Sequence, residues 1–482
     1  MIPFPTDLLF IAGEWRAPEG RETLPLENPS DGSLLARIAR GGAGDIVRAV
    51  GAARAALAGA WGKMSATERG RVLASMGRLV EERADELARL EALDVGKPLR
   101  QGKADALALA RYLEFYGGAA DKLTGETIPY RGGYTVLTLR EPYGVTGHII
   151  PWNYPMQIIG RSVGAALAAG NAAVLKPAEE ACLTALAFAR IAEEAGLPAG
   201  ALNLVAGTGE EAGAALAGHP GIDHISFTGS VATGALVQAA AARNVVPVTL
   251  ELGGKSPQLV FADADLDAAL PYLVNAGIQN AGQTCSAASR ILVERPAYSA
   301  VQARMAERYR ALRAGPALAD LDLGPLVSRR QQEIVERYLT LARDNRLMIA
   351  ASGEIVADAP KGGHYLRPSL IAEVPPEHAL AQEEIFGPVQ VLIPFEDEAD
   401  AIRIANGTPY GLVAGLWTRD GARQMRLSRA LRAGQVFVNN YGAGGGVELP
   451  FGGVKQSGHG REKGFEALYS FTSLKTVALL HG

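Results

Sequence analysis

GVTGHIIPWNYP, residues 144–155, decides how this chain is read. Residues 145–150 form a short apolar run of strand length, and the run breaks into a loop held between two prolines. Four further runs repeat that design: NAAVLKPA (171–178), ALNLVAG (201–207), HISFTGS (224–230) and VTLELGG (248–254). Each ends in Gly, Pro or Ser. Stretches with helical spacing separate several of them, at 182–194, 210–217 and 233–242. Strands alternating with helices predict a parallel, doubly wound sheet. Such a sheet binds ligands at the carboxyl ends of its strands, where these runs carry their Lys, Glu, Gly and Ser.

Working outward, residues 43–60, 66–93 and 103–116 are rich in Ala, Leu, Glu and Arg at helical spacing, and 130–140 alternates like a strand. Between about 255 and 455 a second set of runs follows: QLVFADAD, SRILVERP, VQVLIPFE, LVAGLWT and GQVFVNN. They predict a second α/β domain. The tail SFTSLKTVALL alternates like one more strand.

Composition narrows the function. At roughly 150 residues per domain, 482 residues suggest two to four domains. A net charge of -4 without any Lys/Arg-rich block speaks against nucleic acid and against a membrane surface as partner. The opening MIPFPTDLLFIAGEW is too short and too poorly flanked for a signal peptide, and uncharged runs near 142–160 and 271–289 contain Pro, Asn and Gln. A cytoplasmic enzyme is expected, with Cys182 and Cys285 both reduced. No C-x-x-C or H-E-x-x-H spacing occurs, so no metal site is expected.

NAGQTCSAASR (280–290) sets Cys285 among small polar residues rather than packing ones. Gly282 allows close backbone approach, and N–H groups at a helix start would favour a thiolate. Cys182, inside an Ala/Leu helix, reads as an inert core residue. In LELGGKSP, Glu251 ends an apolar strand, where a carboxylate resists ionisation and suits acid–base work; a satisfied core glutamate is the alternative. In PWNYP, Asn153 carries an NH₂ donor that could face an oxyanion or simply close a turn. In LKPAE, Lys176 and Glu179 stand at a strand end where they could hold the hydroxyls of a ribose, or only water. Gly229 and Ser230, and the glycines Gly207, Gly209 and Gly213, offer turns where backbone N–H groups meet an anion; the last of these arrives one residue late for a dinucleotide fingerprint.

PWNYP, LKPAE, FTGS, LELGGKSP, NAGQTC, EEIFGPV and PFGGVKQSG, in this order, resemble the NAD(P)-dependent aldehyde dehydrogenase superfamily, and LFIAGEW and GREKGFEALYSFTSLKTV extend the likeness to the chain's two ends. The resemblance implies an aldehyde dehydrogenase-like α/β fold. Residues 1–119 and 144–253 would form a Rossmann-type cofactor domain, 254–460 an α/β catalytic domain, and 120–143 with 461–482 a small β ribbon for oligomerisation. A homodimer or homotetramer is then expected.

It also implies roles. Cys285 is the nucleophile, Glu251 the general base, and Asn153 with the Cys285 N–H the oxyanion hole. Lys176 and Glu179 hold the adenosine ribose, and Gly229 and Ser230 lie near the pyrophosphate. Ile149, Trp152, Gly207 and Phe227 belong to the cofactor cleft, and Glu384 and Phe386 hold the nicotinamide ribose and ring. Glu179 favours NAD, with NADP as the alternative. Aldehyde becomes acid through a thiohemiacetal and a thioester that Glu251-activated water hydrolyses.

Arg161, eight residues after Asn153, resembles the residue that grips the distal carboxylate in semialdehyde dehydrogenases. RSVGAALAAGN also resembles enzymes for benzaldehyde or vanillin-type substrates. The second arginine of the succinic semialdehyde enzymes is Gln279 here, Ile278 replaces a frequent phenylalanine, and an ion pair is the structural alternative for Arg161. Tyr154 and Phe451 would line the aldehyde tunnel, with the glycine run Gly442–Gly446 leaving its mouth open. A semialdehyde or aromatic aldehyde is the expected substrate. A neutral aliphatic aldehyde, thiol-dependent ester hydrolysis and a catalytically silent structural role are the alternatives.

Overall fold

The structure is a computed structural model that describes residues 2, 4–442 and 446–482. Residues 443–445 of the glycine run expected at the tunnel mouth lie outside the described residues.

The five runs that open the sequence argument are strands of one sheet: Val145–Ile149, Ala172–Lys176, Leu202–Leu204, His224–Thr228 and Val248–Glu251. Each is buried along most or all of its length, as continuous apolar runs in a parallel sheet must be. Across the sheet they run third, second, first, fourth, fifth in chain order, all parallel. The order reverses between Val145–Ile149 and His224–Thr228, and a crevice opens at such a reversal. The loops leaving these two strands carry Asn153 on one side and Gly229 and Ser230 on the other. The sheet is not purely parallel. Leu9–Ile11 and Gly458–His459 pair antiparallel with its outer strands, and Glu14–Arg16 extends one edge.

The second set of runs forms a separate sheet around Pro257–Val260, Arg290–Glu294, Val389–Phe395, Val413–Trp417 and Gln435–Val438, with Ser369–Ala372 and Met348–Ser352 at one side. Each sheet has its own apolar core. Thr472–Leu480 pairs along its whole length with Tyr134–Pro142, which also holds Thr127–Ile128, in a three-stranded ribbon. That ribbon exposes Tyr130, Tyr134, Leu474 and Leu480. Among the described residues no helix is long and apolar enough to cross a membrane.

Helices form where the Ala/Leu spacing predicts them, at Ala43–Ala58, Ala66–Glu82, Ala84–Asp94 and Leu99–Ala119. Ser65 and Glu68 close the second with a capping box, in which each side chain satisfies a backbone N–H at the helix start. The helix after PWNYP is irregular. It starts at Pro155 and widens into a π-turn over Ile159–Gly164 that carries Arg161. Eight residues would be about two turns of a regular helix, but Asn153 precedes the helix and Arg161 sits in the wide turn, so helical periodicity does not relate the two.

His148 and His224 lie on neighbouring strands, buried, each with Nε2 on a threonine hydroxyl, Thr146 at 2.8 Å and Thr249 at 3.2 Å. Burial lowers both from the ordinary 6.5 to about 3, so the folded chain keeps them neutral. The unfolded chain binds protons on them below about 6.5 while the folded chain does not. Their contribution to stability is constant above that value and falls as pH drops from 6.5 toward 3, while the buried Glu251 and Glu384 carboxyls, raised by burial, act with the opposite sign. Comparing urea midpoints with those of His148→Leu/His224→Leu isolates the histidines: wild type should lose ground relative to the double variant as pH falls from 7 to 4. A gap between the two that does not change with pH would contradict this account.

Candidate active site

Residues from both sheets meet in a cavity of about 310 Å³. Asn153 and Arg161 enter from the PWNYP loop and its helix, Glu251 from the end of its strand, and Cys285 from the loop before Arg290–Glu294. Trp152, Tyr154, Gly229, Ser230, Gln279, Glu384, Phe386 and Phe451 also line it. Ile149, Lys176, Glu179, Gly207 and Phe227 do not. Ile149 and Lys176 pair in register near the carboxyl ends of their strands, and Lys176 Nζ meets the Glu179 carboxylate at 2.9 Å. Phe227 is buried beneath Gly229, whose missing Cβ would stand 2.6 Å from its ring. Gly207 makes its close approach to the Gly41 carbonyl, 2.5 Å from where a Cβ would sit, which is a packing contact.

Cys285 is not at a helix start, contrary to expectation. It sits in a turn, where the Ala287 N–H reaches the Thr284 carbonyl at 2.9 Å. The backbone before it is strained: Asn280, Ala281 and Gly282 have φ of 50°, 53° and 75°, three left-handed residues in succession. Side chains hold that turn. The Asn280 N–H donates to Gln101 Oε1 at 2.8 Å, and Asn280 Nδ2 donates to the Asn153 carbonyl at 3.0 Å. At Gly282 a Cβ would stand 2.1 Å from the Gly387 carbonyl oxygen, so only glycine fits. Asn153 Nδ2 donates to the Gln283 carbonyl at 3.0 Å, which leaves the second N–H of its amide for the cavity.

Burial pushes the Cys285 thiol up to about 12; Arg161 opposes the rise, and Glu384 and Glu251 add to it. Burial likewise raises the Glu251 carboxyl well above its ordinary range, with Glu462 adding and Arg161 and Arg461 opposing. Neither Glu251 oxygen finds a hydrogen-bond donor among the described residues, and Oε1 lies 2.7 Å from where a Cβ on Gly452 would be. A carboxyl with no donor and little water stays protonated. Cys182 is wholly buried, its thiol raised further still, and it does not line this cavity.

Arg161 is buried and ion-paired through Nε with Glu462 Oε2, and it lies 4.9 Å from the centre of the Phe451 ring. Burial alone would lower its pKa, but the facing Glu462 carboxylate, with Glu251 and Cys285, keeps it above the usual value. Glu462 Oε1 accepts from Ser226 Oγ at 2.7 Å. Sequence reading missed Glu462, which stands three hundred residues downstream of Arg161 and has no local signal.

Trp152 and Phe386, which also line the cavity, meet edge to face with ring centres 5.4 Å apart. Phe386 has φ of 56°, and its carbonyl accepts from Gln331 Nε2 at 2.9 Å. Glu384 accepts the Gly254 N–H at 2.9 Å, and burial raises its carboxyl to about 7 against that hydrogen bond and Lys255. Among the described residues no cluster of side chains could hold a metal ion.

With this geometry in view, the chain matches the model of the aldehyde dehydrogenase family over residues 15–477. The mitochondrial aldehyde dehydrogenase family 2 member B4 of Arabidopsis thaliana is 43% identical over 97% of this chain and 87% of its own length. The mitochondrial benzaldehyde dehydrogenase of Antirrhinum majus is 41% identical over 98% and 88%. A solved Burkholderia cenocepacia chain, provisionally described as an aldehyde dehydrogenase, is 67% identical with a TM-score of 0.98, covering 98% of this chain and 100% of that one. The NAD+ complex of a Bacillus cereus aldehyde dehydrogenase is 39% identical with a TM-score of 0.96, over 99% and 97%. The chain belongs to the aldehyde dehydrogenase family. It is an oxidoreductase that acts on aldehydes.

Because burial holds Cys285 as a thiol, its alkylation by iodoacetamide should speed up steadily as pH rises from 7 to 10, following the growing thiolate fraction. A rate already on a plateau at pH 7 would mean that the thiolate is present at rest.

Proposed function

We propose that this enzyme oxidises an uncharged aromatic aldehyde to its carboxylic acid with NAD, using Cys285 as nucleophile. The observation that carries the substrate class is the buried pair of Arg161 and Glu462. A guanidinium that already faces a carboxylate presents little net charge to a ligand. A substrate carboxylate placed there would confront Glu462 as well as Arg161, and would lose its water in doing so. The cavity walls favour a flat ring instead: Tyr112, Tyr154 and Phe451 supply aromatic faces, and Ile158 an apolar one.

The donor set suits a dinucleotide. Ser230 caps the helix Val231–Ala242, whose first N–H groups favour a phosphate. Lys176 and Glu179 offer a donor and an acceptor to a ribose at the next strand end, and Glu384 offers a carboxylate beside Phe386. Glu179 would repel a 2′-phosphate, which favours NAD over NADP. When bound, NAD supplies the acceptor for the hydrogen and electron pair that leave the aldehyde carbon.

The chain's own groups do the rest. Cys285 sulfur adds to the carbonyl carbon, and its proton ends on the new hydroxyl of the thiohemiacetal. The second Asn153 N–H and the Cys285 backbone N–H hold the oxygen while it is negative; one such donor is worth about 10²–10³ in rate. Loss of hydride and of the hydroxyl proton leaves a thioester on Cys285. Glu251, once ionised, takes a proton from water, the water oxygen attacks the thioester, and Cys285 leaves with a proton as the acid is released. The three-part division of the chain follows the same reading, with the ribbon of Tyr134–Pro142 and Thr472–Leu480 pairing subunits into a dimer or tetramer. A free thiol at Cys285 suits a reducing compartment such as the cytoplasm.

The test compares NAD-dependent oxidation of benzaldehyde and 4-carboxybenzaldehyde, and of butanal and succinic semialdehyde, in wild type and Arg161→Leu. Benzaldehyde should exceed its carboxylate analogue in kcat/KM by about tenfold or more, one uncompensated charge being worth at least that. Arg161→Leu, which strands Glu462, should depress all four. If the acidic aldehydes win and Arg161→Leu loses only that preference, Arg161 is a carboxylate clamp and the enzyme is a semialdehyde dehydrogenase.

A further inference from the structure

Beneath the aldehyde cavity lies a cluster of charges that the chemistry above does not use. Lys97 is wholly buried, and its Nζ meets Glu91 Oε1 at 3.2 Å and Asp105 Oδ2. Its remaining side is covered by the ring of Tyr154, whose centre is 3.7 Å from Nζ. Glu91 and Asp105 are equally buried. Burying three ionisable groups costs stability that a well-packed apolar trio would not. What distinguishes this cluster is where its ammonium points.

Tyr154 lines the cavity, and its hydroxyl is 3.0 Å from Thr284 Oγ1. The Thr284 hydroxyl also reaches the Gln279 carbonyl at 3.3 Å, so it can donate there while accepting from the tyrosine. Thr284 is the residue immediately before Cys285. A path of direct contacts thus runs from Lys97 to the Tyr154 ring, to the Thr284 hydroxyl, to the loop that carries the thiol. Asp105 makes a parallel contact, accepting from Gln157 Nε2 at 2.5 Å, and Gln157 also lines the cavity. Lys97, Gln101 and Asp105 recur at intervals of four, the last two on the face of Leu99–Ala119 turned to the site, and Gln101 holds the strained turn at Asn280.

We infer that Lys97 is a positioning residue for aldehyde oxidation: it fixes the ring of Tyr154 by a desolvated cation–π contact, and through the Tyr154–Thr284 hydrogen bond it fixes Cys285 against the aldehyde. Without the ammonium the ring gains rotational freedom. Both the wall for the substrate ring and the hydrogen bond to Thr284 then loosen. The inference rests on Cys285 being the nucleophile of the proposed reaction.

A double-mutant cycle tests it, with kcat, KM for benzaldehyde and NAD, and thermal unfolding measured for each variant. Lys97→Met should lower kcat/KM for benzaldehyde about tenfold to thirtyfold, the range of a desolvated cation–π contact, with KM for NAD unchanged. In a Tyr154→Leu background the same substitution should cost less than about twofold, because the group through which Lys97 acts is gone. Equal losses in both backgrounds would make Lys97 a structural residue and overturn the inference. Should Lys97→Met fail to fold for want of a partner to Asp105, Lys97→Met/Asp105→Asn removes one charge of each sign and enters the same cycle with the same two outcomes. Cys285→Ala is run beside every variant. Turnover that survives it refutes the nucleophile assignment, whereas Cys285-dependent turnover with additive Lys97 and Tyr154 losses refutes only the positioning role.

Discussion

The left-handed turn at Asn280, Ala281 and Gly282 is the constraint on which the site depends. Two non-glycine residues in that region cost of order 1–3 kcal/mol each, and they persist only where surrounding contacts over-determine them. Those contacts come from three directions. Gln101 reaches in from the helix Leu99–Ala119, Asn153 from the switch point of the first sheet, and the Gly387 carbonyl from the loop before Val389–Phe395. The turn therefore forms only when both sheets are in place. The thiol it presents lies between them, facing residues that neither sheet could gather alone.

Electrostatics at the cavity are those of neutral groups held in reserve. Burial favours the neutral forms of the Cys285 thiol and the Glu251 carboxyl, and Arg161, which opposes both shifts, is balanced by Glu462. Such a site reacts with an uncharged carbonyl without first stripping a charge of its water. On the proposed reading, reactivity comes from directed donors, the amide of Asn153 and the backbone at Cys285, rather than from a standing thiolate.

Much of this was legible in the sequence. The five apolar runs and their carboxyl-end residues give the parallel core of the first sheet, because a strand buried on both faces has little freedom in its composition. Cys285, Glu251 and Asn153 stood out because each is a chemically costly residue in surroundings that do not need it. What stayed hidden depends on contacts between distant segments. Glu462 lies in GREKGF, where nothing marks it as the partner of Arg161. The antiparallel edges of the first sheet come from the two ends of the chain. The left-handed turn carries non-glycine residues that local propensity would not put there. Gln101 and Asp105 were readable in principle, since polar groups spaced by four on one helical face ask for a buried polar partner, whereas Lys97 lies in the loop before that helix.

The central claim is that Cys285 carries the acyl group and Glu251 releases it. The most direct measurement is intact-mass and peptide mass spectrometry of Glu251→Gln after mixing with NAD and benzaldehyde and quenching in acid. The account predicts one benzoyl group per chain, located on the peptide that contains Cys285, together with a burst of reduced cofactor of about one equivalent and slow turnover thereafter. An unmodified Cys285 with undiminished turnover, or the acyl group found on Cys182, would contradict it.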